Sequence, residues 1–277
     1  MTNELAQRAQ ELRQLIFKTI YWAGGGHIPS SLSIAEILVV LYFRFLRVDP
    51  QDPHAQDRDR FILSKGHAGV ALFSVLAMKG FFDRKLLASA CHLGSPLGGH
   101  PDMVKVPGVD ASTGSLGHGF PYGAGIAFAG KQDQKDYKVY CLLGDGECQE
   151  GSVWEAAIFA AQHKLDNLVA ITDYNKLQAI DFLDNVGSLS PLADKWKAFG
   201  WEVVEVNGHD TEDISCALKK VPFKKGKPSM VIAHTVKGKG ISFMENAPIW
   251  HYRMPNTEEL KIALKDLQLS EEDLKSL

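Results

Sequence analysis

The chain has 277 residues, 45% hydrophobic and 23% charged, enough for a buried core in one large domain or two small ones. Its formal net charge of -3 excludes the strongly basic balance of a binder of nucleic acid or of an anionic membrane surface. Met1-Thr2-Asn3-Glu4-Leu5-Ala6-Gln7 lacks a signal-peptide pattern, and no apolar run is expected to be long enough to span a bilayer. Cys91, Cys141, Cys148 and Cys216 show neither a CxxC pair nor metal-ligand spacing, so a reduced, cytoplasmic protein is expected.

Residues 3–23 place Leu5, Leu12, Leu15, Ile16, Ile20 and Ala23 on one side of a helix that Gly24-Gly25-Gly26 ends. His27 to Leu32 reads as an irregular loop, and Ser33 with Glu36 as a capping box opening an apolar helix to about Phe45. Phe61 to Ser64 is a short buried strand, followed by the turn Lys65-Gly66-His67, a helix from Ala68 to about Met78 and another near Lys85 to Ala90. Gly94 to Gly119 is rich in glycine and too long for an idle loop; it leads to a small-residue helix near Tyr122 to Ala129. Tyr137 to Leu143 and Asn167 to Asp173 read as strands buried on both faces, joined by a helix that Ser152 and Glu155 cap. Beyond Asn175, Ser190-Pro191 starts a helix that stops at Gly200. A strand over Trp201 to Val206, a helix from Thr211 to about Val221 and a strand over Met230 to His234 follow. Lys237-Gly238-Lys239-Gly240 is a basic loop, and a terminal helix begins with Asn256 or Thr257 as cap. With no repeat and no linker, the alternation predicts one three-layer α/β/α domain over residues 1–277 around a mostly parallel sheet.

Strand, helix, strand is a right-handed parallel crossover, which puts the ends of both long strands on one sheet edge. If those strands are neighbours they lie roughly 5 Å apart, and Asp145 and Asn175 reach one point where α/β sheets bind ligands. An acidic and an amide oxygen suit magnesium rather than zinc, with water and phosphate completing the shell. The glycines beside Asp145 let a phosphate approach backbone N–H groups. Spacing thus points to a magnesium-diphosphate site, although Gly144-Asp145-Gly146 in isolation is more often an ordinary Asp-Gly turn between strand and helix. His27, His67, His100 and His251 stand in loops that this edge can carry. Gly117-His118-Gly119 lacks the third glycine of a dinucleotide fingerprint and is discounted.

Gly144-Asp145-Gly146-Glu147-Cys148-Gln149-Glu150-Gly151, continuing to Asp173-Tyr174-Asn175, resembles the thiamine diphosphate motif of transketolases. Gly26-His27 with Ser30, Ser64-Lys65-Gly66-His67, Gly99-His100-Pro101, Thr113-Gly114-Ser115-Leu116-Gly117, and Lys237-Gly238-Lys239-Gly240 up to His251 follow the family's order over nearly the whole chain. The resemblance implies that Asp145, Asn175 and the Leu177 carbonyl hold magnesium, for which calcium or manganese can substitute. It implies that the Gly146 N–H, His67, Lys237 and His251 meet the diphosphate, and that Gly114, Ser115 and Leu116 meet the aminopyrimidine. His27, Ser30, His100 and His251 would face the sugar, where hydrogen bonds assist proton transfer. Glu150 and Glu155 match carboxylates of a network linking two sites across a dimer interface; for Glu155, helix capping is the competing explanation. Ile28, His118 and Ala179-Ile180-Asp181-Phe182 depart from the family pattern and leave substrate preference open.

In this family a second domain carries the carboxylate that activates the pyrimidine, the ring that stacks on it and most sugar-phosphate arginines. The resemblance therefore implies a half-site: the diphosphate-binding subunit of a split transketolase, inactive alone, with a partner subunit carrying the pyrimidine-binding domain and two copies of each. The expected reaction moves a two-carbon ketol unit from a ketose phosphate to an aldose phosphate. A split enzyme of a specialised sugar pathway, a fragment of a deoxyxylulose-phosphate-synthase-like or oxoacid-dehydrogenase-like enzyme, and a non-catalytic scaffold that keeps the fold are the alternatives. Gln149-Glu150-Gly151 and Gly99-His100-Pro101 favour transketolase over the other enzymes.

Overall fold

The computed structural model describes residues 2–275. Five parallel strands form one sheet in the order β1-β2-β3-β5-β4: β1 Arg60–Leu63, β2 Val139–Gly144, β3 Leu168–Tyr174, β4 Glu202–Asn207 and β5 Ser229–His234. The expected strands are all present, and the two that carry the candidate ligands are direct neighbours, with Gly144 opposite Asp173. Every residue of β2 and of β3 is buried, as continuous apolar runs in a sheet covered on both faces require.

Side chains alternate between the two faces. Tyr140, Leu142, Val169, Ile171, Val231 and Ala233 point to one layer, packed against α1 Thr2–Ala23, α3 Ala35–Val40 and α4 Gly69–Lys79. Val139, Cys141, Leu143, Leu168, Ala170 and Ile232 point to the other, packed against α5 Gly119–Gln132, α6 Gly151–Gln162 and α8 Leu192–Ala198. The remaining helices are α2 Ile28–Leu32, α7 Leu183–Gly187, α9 Thr211–Leu218 and α10 Thr257–Asp266. Asn256 caps α10 in a full capping box with Glu259, and Asp210 caps α9.

Several expectations fail, and for the two capping serines a tertiary partner outcompetes the local one. Residues 28–32 form the one-turn helix α2 instead of a loop, with Pro29 in its first turn. The Ser33–Glu36 capping box does not form: Ser33 Oγ donates to Asp173 Oδ2 at 2.8 Å, and Glu36 accepts from Arg13. Residues 41–45 leave the α-helical register for a π turn. Ser152 does not cap α6 either; Glu150 stands at the N-cap and Ser152 Oγ donates to the Gly117 carbonyl at 2.8 Å. The stretch from Lys85 to Ala90 is a 3-10 helix, Arg84–Ser89, and α7 was not anticipated. One apolar run does reach spanning length: Ile28–Phe45 has 18 residues at a mean hydropathy of 1.5, but 83% of it is buried inside the fold as core.

Candidate functional site

The C-terminal ends of β2 and β3 open into a cleft of about 390 Å³. Asp145 follows the last residue of β2 and Asn175 the last of β3, so parallel pairing delivers both to one wall. Asp145 is buried; its Oδ1 accepts from the Gly146 N–H at 2.7 Å and its Oδ2 from the Lys176 N–H. Burial, and then the charge of nearby Asp173, push its carboxyl up to about 6. Asn175 Nδ2 donates to Asp173 Oδ2 at 3.0 Å, which fixes the amide and leaves Oδ1 accepting from the Leu177 N–H. Among the described residues, no set of three or more His, Cys, Asp or Glu side chains could hold a metal. The set offered here is one carboxylate, one amide oxygen and the Leu177 carbonyl, which fits a hard cation that takes its other ligands from water and phosphate.

Facing these oxygens is a cluster of donors. Lys237 is buried, and its Nζ donates to the carbonyls of Leu177 and Gln178, both at 2.9 Å, and lies 3.1 Å from His251 Nδ1. With both carbonyls acting as acceptors, the ammonium's third proton goes to His251 Nδ1 and the imidazole proton sits on Nε2. The rings of His27, His67 and His251 meet edge to face or tilted, at centroid separations of 5.0 to 5.9 Å. Burial first, then neighbouring cations, lower His27 to about 4 and His251 to about 3, and hold His67 well below the usual histidine range. The same causes bring Lys237 down to about 8. Asp145 and Asp173 offset part of this on Lys237, yet burial and Lys65 outweigh them, so the donor side of the cleft is left short of negative charge.

The loop 113–117 closes the cleft from another side. Thr113 Oγ1 donates to the Leu63 carbonyl at 2.8 Å, and the loop lies so close to Gly66 that a Cβ there would stand 2.6 Å from the Gly114 nitrogen. Gly114, Leu116, Gly146, Ser30 and Glu150 line the cleft. His100 is outside that lining but its ring packs against Gly114, so it stands at the mouth. Ser115 is exposed beside the cleft. Glu155 is exposed on α6, away from the lining and without a hydrogen bond to the helix start, so its capping role does not hold.

Sequence reasoning missed three buried charges that hold this edge together. Lys65 Nζ meets Asp173 Oδ2 at 2.6 Å and the Ser30 carbonyl at 3.0 Å. Asp173 also accepts from Ser33, Asn175 and Thr235. Glu147 accepts from the N–H groups of Gly117 and Gly144 and from Ser64. The available signal was a charge at the end of an apolar strand, which requires a partner when buried.

This fold and site define an α/β protein with a donor-rich cleft at the carboxyl edge of a parallel sheet, shaped for an anionic ligand. The chain belongs to the transketolase family: residues 5–268 match the model described as transketolase, thiamine diphosphate binding domain. It is 44% identical over 266 residues to the 6-deoxy-6-sulfo-D-fructose transketolase subunit of a Clostridium species, covering 96% of each chain. It is 43% identical to an apulose-4-phosphate transketolase subunit of Phocaeicola vulgatus, covering 95% of this chain and 93% of that one. Human transketolase is 42% identical over 248 residues, 89% of this chain but 39% of the human protein. The solved transketolase of Campylobacter jejuni superposes with a TM-score of 0.90 at 34% identity, covering 98% of this chain and 44% of that one. Matched end to end with transketolase subunits and only part-way along single-chain transketolases, the chain has the extent of one subunit of the two-subunit form of this transferase.

Proposed function

We propose that this chain is the cofactor-holding half of a transketolase active site, completed by a partner subunit. The observation that carries the reading is the convergence of Asp145, Asn175, the Leu177 carbonyl, the Gly146 N–H, His67, Lys237 and His251 on one cleft. Asp145, Asn175 and the Leu177 carbonyl would hold Mg2+, whose charge relieves the penalty on the buried Asp145. A cation on the Leu177 carbonyl would displace the Lys237 ammonium bonded there, freeing it for the diphosphate of thiamine diphosphate, which His67, His251 and the Gly146 N–H (bonded to Asp145 Oδ1 in this structure) would also hold; Gly114, Ser115 and Leu116 would meet the aminopyrimidine. When bound, the cofactor supplies a nucleophilic carbon and an electron sink for the two-carbon ketol unit.

The chain's own residues orient that unit. Neutral His251 presents its Nε2–H, while His27, Ser30 and His100 offer hydrogen bonds to substrate hydroxyls and carbonyl near the cleft mouth. Imidazoles held this far below their usual range stay neutral at pH 7 and can take up a proton transiently. Glu150 lies exposed at the cleft, placed to join a carboxylate relay at the subunit interface. Leu116 lines the cleft, exposed Ile180 follows its lining residue Ala179, and exposed Tyr252 packs on His27; this is the surface we assign to the partner's pyrimidine-binding domain. Two copies of each subunit, closed by two-fold symmetry, is the proposed assembly. One domain over the whole chain and a cytoplasmic location also belong to this reading, the latter supported by four free cysteines.

A specialised sugar pathway is the second reading, favoured by relatives named for 6-deoxy-6-sulfo-D-fructose and apulose 4-phosphate. Donor and acceptor then differ in the partner's pocket while this chain's site is unchanged. The test is co-expression with the product of the adjacent reading frame and a ketose-to-aldose transfer assay with Mg2+ and thiamine diphosphate. Transfer only in the complex supports the reading. Absence of thiamine diphosphate binding even with the partner present supports a scaffold, and full activity of this chain alone overturns the half-site.

A further inference from the structure

Lys237 sits in a turn of two glycines and two lysines, tied by its own carbonyl to the Asn246 N–H at 2.9 Å and by the Gly238 N–H to the Pro29 carbonyl at 3.1 Å. Beneath it, three residues from three distant segments reach the backbone on either side of Lys237. Arg13 of α1 and Glu36 of α3 form a buried pair, with Arg13 Nη2 2.6 Å from both carboxylate oxygens. His209, in the loop before α9, places Nδ1 3.0 Å from Glu36 Oε2. Its other nitrogen, Nε2, accepts the Val236 N–H at 2.8 Å, one residue before Lys237. An imidazole nitrogen that accepts carries no proton, so Nδ1 is the protonated one and donates to Glu36. Arg13 Nε donates to the Lys239 carbonyl at 3.1 Å, two residues after Lys237. Burial opposes the Glu36 charge, but the bonds from His209 and the Arg13 guanidinium keep its carboxyl below the usual range.

We propose that Arg13, Glu36 and His209 are positioning residues that aim Lys237 at the diphosphate by gripping its loop on both sides. The inference rests on the reading that Lys237 meets a diphosphate. None of the three lines the cleft, so their effect on the ligand passes through the loop backbone. Glu36 sets the His209 tautomer, and that tautomer makes the acceptor for Val236. Arg13 contributes a second grip and balances the Glu36 charge.

The test uses the complex with the partner subunit, stripped of cofactor, and titrates thiamine diphosphate at fixed Mg2+ by tryptophan fluorescence. His209→Ala is expected to weaken binding about tenfold, the scale of one hydrogen bond to a charged group. His209→Gln, whose amide oxygen can take the Val236 N–H, should recover most of that loss. In a Lys237→Met background, His209→Ala should have no further effect, because the residue it acts through is gone. Amide hydrogen exchange without cofactor reads the grip itself: His209→Ala should speed exchange at Val236 and leave β5 unchanged. Additive losses in the double variant, or unaltered exchange at Val236, overturn the inference. If the unmodified complex binds no thiamine diphosphate, the proposed function falls and takes this inference with it. If Lys237→Met weakens binding and His209→Ala does not, only the inference falls.

Discussion

Replacing Asp145 by Asn tests the cation site through stability instead of turnover. In the folded chain the Asp145 carboxyl is pushed up from 3.8 to about 6 by burial and by Asp173. At about 1.4 kcal/mol per pKa unit, this penalises the folded state by about 3 kcal/mol wherever the group is ionised. The unfolded chain releases this proton near 3.8 and the folded chain only near 6, so between those values the folded state holds more protons. Stability therefore falls as pH rises through that window and stays low above it. Asn has no such penalty, but its single oxygen cannot accept from both Gly146 and Lys176, which costs about 1–3 kcal/mol. Asp145→Asn should therefore be less stable than the parent at pH 4 and equal or more stable at pH 8, by urea denaturation without metal. With Mg2+ and thiamine diphosphate at a hundred times their dissociation constant, the parent in its complex should gain about 2.7 kcal/mol and the variant nothing. Parallel stability curves at all pH values, or equal gains with ligand, would refute the assignment of Asp145 as the buried carboxylate that a cation relieves.

Three further outcomes follow from the packing. Lys65→Met leaves Asp173 charged and fully buried without its ion pair, and should destabilise the chain by about 3–5 kcal/mol in urea melts; adding Asp173→Asn should return part of it. Gly123→Ala places a Cβ 2.1 Å from Cys141 Sγ, so α5 must lift from β2; thermal denaturation should show a loss of about 1–3 kcal/mol that Cys141→Ala reduces. His100→Ala, at the mouth against Gly114, should lower kcat for ketol transfer well beyond any change in thiamine diphosphate affinity; the reverse pattern would place it at the diphosphate.

The strands were legible because a parallel sheet covered on both faces demands apolar runs such as Tyr137 to Leu143, which turn residues delimit. Asp145 and Asn175 were legible because a crossover sends both strand ends to one edge. The caps were not. Ser33 and Ser152 carry the right pattern for capping, yet each hydroxyl serves a neighbour distant in sequence, Asp173 and Gly117 respectively. A local motif states which bond a side chain can make, and burial decides which of several it makes. Lys65, Asp173 and Glu147 stayed hidden for the same reason, since a charge is read as solvated until its partner is known.

By itself the sequence determined the strand and helix alternation, the two strand-end oxygens, and the ordered motifs that place the chain in its family. Only the tertiary structure decided the order β1-β2-β3-β5-β4, the neutral histidine cluster around Lys237, and the Arg13, Glu36 and His209 grip beneath it. The division has one physical cause. Periodicity and turn chemistry act over a few residues and are written in the chain, whereas the field at a buried nitrogen or carboxylate is the sum over groups up to about two hundred residues away in sequence.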